Sequence, residues 1–372
     1  MSRLELLLER PLALLLLPLS ILPFLLLVPQ MVESRELYER RHESGPLPAP
    51  AVVLTAAQVH RFQPVAPYRG AVPVLAYGRV ADDASDARAV SRRTFAEQMA
   101  ALKRMGFQTI STEQFARFRA GDGTGLPARP ILITFDGGRL DSYRAADRVL
   151  AQHGLRATMF VSTAPIEAED PSHLTWAELH RMADSGRWDV EPQTHDGARR
   201  VAYDELGSTA PFYAVRRYTR SGGLETFADY ERRVTGDLFA VAERMRDQGF
   251  EPHALALPGG EYGQGRTNDP AIAPFMRALL ARQFGVYFAR HQRNEPEYAR
   301  ALGEPQRLEL HAGTTTDRLY MWLRDHSPGA AKPRGGAPEA EPRGSSARRR
   351  GSSAKRRGPS AKPRGSDRRA RD

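Results

Sequence analysis

The sequence predicts an α/β domain of parallel strands with helices outside, held between an apolar N-terminal run and a charged, unstructured tail. Three observations predict it. Between Val72 and Asp325, short apolar β-rich runs alternate with amphipathic helical segments, the pattern of parallel strands joined by crossover helices. Ahead of this body, Pro11–Val28 carries no charge and is just long enough to span a bilayer. Behind it, from Ala331, the chain is mostly Arg, Lys, Gly, Ser and Pro, too poor in apolar residues to bury a core.

The elements of the body follow in order. Val72–Tyr77 reads as a buried strand. Arg92–Gly106 is a helix with Phe95, Met99, Leu102 and Met105 on one face and Gly106 as its stop. Phe107–Ser111 is a short strand, and Thr112–Ala120 a helix capped by Ser111 or Thr112. Ile131–Phe135 is a strand, Asp141–His153 a helix ended by Gly154, Ala157–Val161 a strand, Trp176–Ala183 a helix and Trp188–Val190 a strand. Glu225–Gln248 is a long helix. His253–Leu257 is a strand stopped by Pro258-Gly259-Gly260, Pro270–Gln283 a helix, Gly285–Ala289 and Leu308–Leu310 strands, and Asp317–Asp325 the last helix.

The most informative stretch is Pro130–Tyr143, PILITFDGGRLDSY. Its apolar run stops at Asp136, and Gly137 and Gly138 then turn the chain. A buried strand that ends in a carboxylate beside glycines is how α/β enzymes present a catalytic group at the C-terminal strand edge. The competing reading is an Asp that caps the next helix.

TFDGG at Thr134–Gly138, RATMFV at Arg156–Val161 and LTWAELHRMADSGRWDVEPQTHDG at Leu174–Gly197 together resemble the NodB-homology polysaccharide deacetylase family. Its members carry TFDDG, then KATFFV, then a Trp-helix-Gly segment leading to a strand with a His-rich end. Order and spacing agree across several separated motifs, and the resemblance covers about Val72 to Leu323. It implies a distorted (β/α) barrel of the NodB type. It also implies hydrolysis of acetyl groups from an N-acetylated sugar polymer. In the family a divalent metal, often zinc, is held by one Asp and two His and lowers the pKa of its bound water. A neighbouring Asp acts as base.

Carried over residue by residue, the resemblance makes Asp136 the base and leaves the metal without ligands. The ligand Asp position holds Gly137, and the two His positions hold Gln193 and Ala198. A register starting instead at His195 keeps that one His but places Arg199, which cannot bind a metal, four residues on. A substitute site from His195, Asp196, Asp136 and Glu191 would be weaker and harder than two His and an Asp. The metal is thus expected to be unorthodox or absent, with His195 the sole candidate ligand. The family's frequent Tyr-His is Tyr77-Gly78 here. Pro258, Gly259 and Tyr262, in PGGEYG, resemble the loop that lines the family's substrate cleft. Tyr143, Trp176, Trp188 and Tyr213 are candidates either for sugar stacking or for the core. His311 is the candidate for the family's late His.

The ends remain. Pro11–Val28 reads as an uncleaved transmembrane anchor within residues 1–30, because no small-x-small cleavage site follows it; a signal peptide is the rival. Arg3 and Arg10 precede it and Arg35, Arg40 and Arg41 follow it, so charge does not set its orientation. With that anchor the protein is expected to be a single-pass cell-membrane protein, and the family resemblance implies that its domain lies outside the cytoplasm. Residues 31–70, broken by Pro46, Pro48, Pro50, Pro64 and Pro67, read as a stalk, residues 71–328 as the domain, and residues 329–372 as the tail. Gly344–Arg350, Gly351–Arg357 and Gly358–Arg364 are near-copies. Residues 332–372 hold 14 Lys/Arg and 4 Asp/Glu, a charge of +10 that equals the net charge of the whole chain. Such a tail attracts polyanions. It has no aromatic residue to stack on bases, so no specific nucleic-acid partner is expected. The chain has no cysteine, which excludes disulfides and thiolate chemistry.

Three functions follow: a membrane-anchored deacetylase acting on a cell-envelope or extracellular glycan, a non-catalytic relative that binds such a glycan, or a scaffold whose tail recruits an anionic partner. If Pro11–Val28 is an anchor, the mature protein fractionates with membranes and keeps its N-terminus; a soluble product beginning near residue 30 identifies a signal peptide instead.

Overall fold

The computed structural model describes residues 45–68, 70–82, 86–289, 299–300 and 305–327. The chain divides into two units, residues 1–332 and 333–372. The basic tail and Pro11–Val28 lie outside the described residues. Among those described, no helix is long and apolar enough to cross a membrane.

In chain order the elements are α1 (Ala56–Arg61), β1 (Ala71–Val72), β2 (Val74–Tyr77), β3 (Arg79–Val80), β4 (Ala89–Val90), α2 (Arg92–Arg104), β5 (Gln108–Thr109) and α3 (Thr112–Arg119). Next come β6 (Pro130–Phe135), α4 (Leu140–His153), β7 (Ala157–Ser162), α5 (Thr163–Glu167), α6 (Trp176–Asp184) and β8 (Trp188–Thr194). Two hairpins follow, β9 (Arg200–Ala202) with β10 (Thr209–Pro211) and β11 (Tyr218–Thr219) with β12 (Gly223–Leu224). Last are α7 (Phe227–Asp247), β13 (Leu255–Ala256), α8 (Ile272–Phe284), β14 (Tyr287–Phe288), β15 (Ala299–Arg300), β16 (Leu308–Leu310) and α9 (Thr316–Asp325).

The central sheet runs β16-β2-β6-β7-β8, with β5 beside the start of β6, and all its pairings are parallel. Every residue of β6 and β7 is buried, as expected of strands covered on both faces. Alternate residues go to different neighbours. Leu75, Tyr77, Ile133, Phe135, Met159 and Val161 join the large cluster under the helices. Val74, Leu132 and Phe160 join a second cluster that also holds Ala254 and, from a separate parallel pair β13-β14, Ala256 and Phe288. The two parallel ladders therefore share one inner apolar cluster.

The helices obey their local signals. Ser111 and Gln114 form a capping box on α3, and Thr175 and Glu178 another on α6. Gly154, at φ +58, ends α4 in the left-handed conformation.

Between β8 and β13 no ladder forms; a side chain bridges them instead. Glu191, only 2% exposed, accepts from the backbone N–H groups of His253 (2.8 Å) and Ala254 (3.1 Å), and its other oxygen lies 3.2 Å from His253 Nδ1. Burial pushes the Glu191 carboxyl up, and its hydrogen bond raises His253. This seam is one of two places, with the gap between β14 and β16, where the described strands do not pair into a regular barrel.

Two expectations need correcting. Val72–Tyr77 is not one strand: Pro73 has no N–H to give a ladder and splits it into β1 and β2. Residues 45–68 are not a free stalk. Phe62 is fully buried with its ring 5.3 Å from that of Tyr320, Tyr68 donates its hydroxyl to the Leu323 carbonyl, and Leu47 N–H bonds to the Arg144 carbonyl at 2.9 Å. The prolines forbid long elements but not docking of Phe62, Val65 and Tyr68. Phe62→Ala is therefore expected to cost about 3–5 kcal/mol in urea unfolding; a change below about 0.5 would mean the segment is only laid on the surface.

Candidate functional site

The residues singled out from the sequence fall at the C-terminal edge of the parallel strands. Asp136 follows β6, with its N–H bonded to the Tyr77 carbonyl at 3.2 Å. Its carboxylate meets Arg307 in a bidentate pair, Oδ1 to Nη1 at 2.6 Å and Oδ2 to Nη2 at 2.9 Å. Arg307 stands just ahead of β16 and its side chain is 9% exposed, against 21% for Asp136. Its guanidinium lies 5.6 Å from the Phe160 ring centre and 5.4 Å from that of Phe288, and it also reaches the Thr134 hydroxyl at 3.2 Å. The carboxylate is thus oriented, with each oxygen accepting one charge-assisted bond.

The turn after Asp136 is left-handed twice, at Gly137 (φ +91) and Gly138 (φ +68). A Cβ on Gly138 would press on Val161 Cγ1 at 3.2 Å; Gly137 has room, so there the backbone is the constraint. An Asp at position 137 would need a different turn.

β7 and β8 pair in register until a bulge, after which Ser162 stands opposite Thr194. The bulge falls at Gln193, which is buried and receives the Ser162 hydroxyl at 3.3 Å. The loop that follows is tightly bonded. Asp237 of α7, 7% exposed, accepts from the Thr194 and Tyr213 hydroxyls, from His195 N–H at 3.2 Å and from Asp196 N–H at 2.7 Å. Burial, then the Asp237 charge, push Tyr213 well above the ordinary phenol range, so it acts as a neutral donor. His195 is partly buried, with Nδ1 2.9 Å from the Thr163 hydroxyl and its carbonyl accepting from Ala164 N–H. A Cβ on Gly197 would stand 2.5 Å from both Thr194 Oγ1 and Tyr213 Oη. Ala198 is exposed, and Arg199 pairs with Asp196 at 2.7 Å.

These residues do not fit the expected metal. Gly137 and Ala198 offer no donor, Gln193 offers a buried amide already bonded to Ser162, and Asp136 is paired with Arg307. Among the described residues no group of three His, Cys, Asp or Glu side chains is arranged to hold a metal ion.

The remaining candidates are placed as follows. Pro258 is partly buried and Gly259 exposed in a single turn after β13, with Gly259 at φ +61. Tyr262, in contrast, is 1% exposed and meets Tyr287 edge-on; its ring belongs to the core and offers no face to a ligand. Trp188 and Tyr213 are likewise buried, and Trp188 donates to Asp147 at 2.9 Å. Trp176 is partly buried, its ring stacked near Phe250. His311 is exposed, with Nδ1 accepting from Gly313 N–H at 3.1 Å.

Residues 124–219 match the family model for polysaccharide deacetylases. This stretch holds Thr134–Gly138, Arg156–Val161 and Leu174–Gly197, the motifs that resemble the NodB-homology family. A putative polysaccharide deacetylase of Bacillus subtilis (strain 168), YxkH, is 29% identical over 115 residues, 31% of this chain; the match spans 39% of that relative's length. A de-N-acetylase of Aggregatibacter actinomycetemcomitans superposes with a TM-score of 0.56 at 19% identity, covering 68% of this chain and 99% of that one. The BpsB deacetylase domain of Bordetella bronchiseptica gives 0.51 at 24%, covering 65% and 96%. At such identities the structural likeness establishes the fold.

Two residues that shape this deacetylase-type site are absent from the sequence reading. Arg307 lies 171 positions from Asp136, and only the fold brings them together. Asp237 sits inside a long polar helix, where nothing local separates it from a solvated acid. Arg307→Met would leave the Asp136 carboxylate unpaired and is expected to cost on the order of 3 kcal/mol. Adding Asp136→Asn should recover part of that loss in a double-mutant cycle, whereas simple additivity would show that the pair is not coupled.

Proposed function

We propose that this domain binds an acetylated glycan of the cell envelope at its C-terminal strand edge, and does so without the metal-dependent hydrolysis of its family. One observation carries the reading: the positions that the resemblance assigns to the metal hold Gly137, Gln193 and Ala198, and the strand ends and loop around them are well ordered by hydrogen bonds. Family membership supports the glycan as the class of ligand. The uncharged run Pro11–Val28 supports attachment to the membrane with the domain outside, and the basic tail supports a further attraction to anionic polymer.

The energetics favour binding over turnover. Bulk water has a pKa near ~15.7 and a zinc-bound water one near ~7. The gap of about 9 units is roughly 12 kcal/mol at about 1.36 per unit. A general base usually contributes about 10²–10⁴ in rate, roughly 3–5 kcal/mol. Asp136 alone does not bridge that gap.

The test is deacetylation of N-acetylglucosamine oligomers by natural protein and Asp136→Asn, with added zinc or cobalt and with chelator. No turnover beyond the Asp136→Asn background is expected. Robust, chelator-sensitive turnover that vanishes in Asp136→Asn would establish the hydrolase instead.

A further inference from the structure

The loop Thr194–Ala198 is held by a dense set of hydrogen bonds to buried groups. Four donors converge on the buried Asp237 carboxylate. Thr194 Oγ1 also accepts from Gly197 N–H at 2.7 Å, and Gly197 has no room for a Cβ. Each of the bonds to Asp237 satisfies a buried acid that would otherwise lack a partner, so the loop is held in one conformation. What the bonds fix in common is His195. Its N–H is held by Asp237, its carbonyl by Ala164 N–H and its Nδ1 by the Thr163 hydroxyl. Its Nε2 has no protein partner among the described residues, and the side chain is only partly buried. It follows the end of β8, beside the end of β7, and Asp136 follows the end of β6 on the other side of β7.

We infer that His195 is the residue through which this site hydrogen-bonds a neutral acetamido sugar, by Nε2, and that Asp237 is the positioning residue that presents it. This rests on the glycan-binding reading. A neutral sugar suits the site because its charges are already matched: Asp136 is paired with Arg307, and Asp196 with Arg199. An acetamido group and its neighbouring hydroxyls offer both donors and acceptors, and an imidazole oriented through Nδ1 can serve either.

The experiment titrates the full chain with β-1,4-linked and β-1,6-linked N-acetylglucosamine hexamers. It follows heat and, by NMR, the ring nitrogens of His195. One hexamer should bind and shift the Nε2 resonance at saturation. His195→Ala should weaken binding about tenfold, the scale of one hydrogen bond. Asp237→Asn should weaken it comparably and move the unliganded His195 ring shifts, a change that mere loss of stability does not produce. Should Asp237→Asn fail to fold, Thr163→Val removes the Nδ1 partner and serves the same purpose. Tight binding unaffected by His195→Ala, with no Nε2 shift, overturns the inference and leaves the glycan reading standing. No binding of either hexamer by the natural protein overturns both.

Discussion

The pair between Asp136 and Arg307 is the constraint on which the site depends. It joins the end of β6 to the approach to β16 and sets the guanidinium between Phe160 of β7 and Phe288 of β14. One cation thereby touches both parallel ladders, close to the apolar cluster they share. A partly buried ion pair is weak evidence of stability in itself, because desolvation offsets much of the attraction. Its consequence is geometric: once either partner is present the other is required, and Asp136 keeps one orientation. The Glu191 carboxylate does related work at the other junction, closing the gap between β8 and β13 where backbone pairing fails.

The misfit to the expected metal lies in the backbone as well as in the side chains. Gly137 adopts a conformation that an Asp rarely takes, so this turn favours glycine at position 137. Gln193 has been absorbed into a buried bond with Ser162. The loop beyond is held in one shape by Asp237, Tyr213 and Gly197.

Much of this was legible in the sequence. The alternation of apolar runs and helices gave parallel strands, and β16 spans the predicted Leu308–Leu310. The spaced motifs assigned Asp136, Gly137, Gln193 and Ala198, and the structure places Asp136 and Gly137 just after β6, Gln193 near the end of β8 and Ala198 in the loop that follows it. What escaped has physical causes. Glycine, proline and short polar runs do not announce two-residue strands, so the two hairpins after β8 were invisible. Proline-rich composition suggested a stalk at 45–68, yet three apolar side chains sufficed to dock it. Burial on a strand end depends on neighbours far away in the chain, which is why Tyr262 looked like a wall of the site and is core. Arg307 and Asp237 act across the fold, and local pattern holds no record of such pairings.

The account turns on whether this protein holds a metal. The direct measurement is the zinc content of the purified full chain after incubation with one equivalent of zinc and removal of free ion. The account predicts no stoichiometric zinc. One tightly retained zinc per chain would contradict it, and would require ligands other than the residues at 137, 193 and 198.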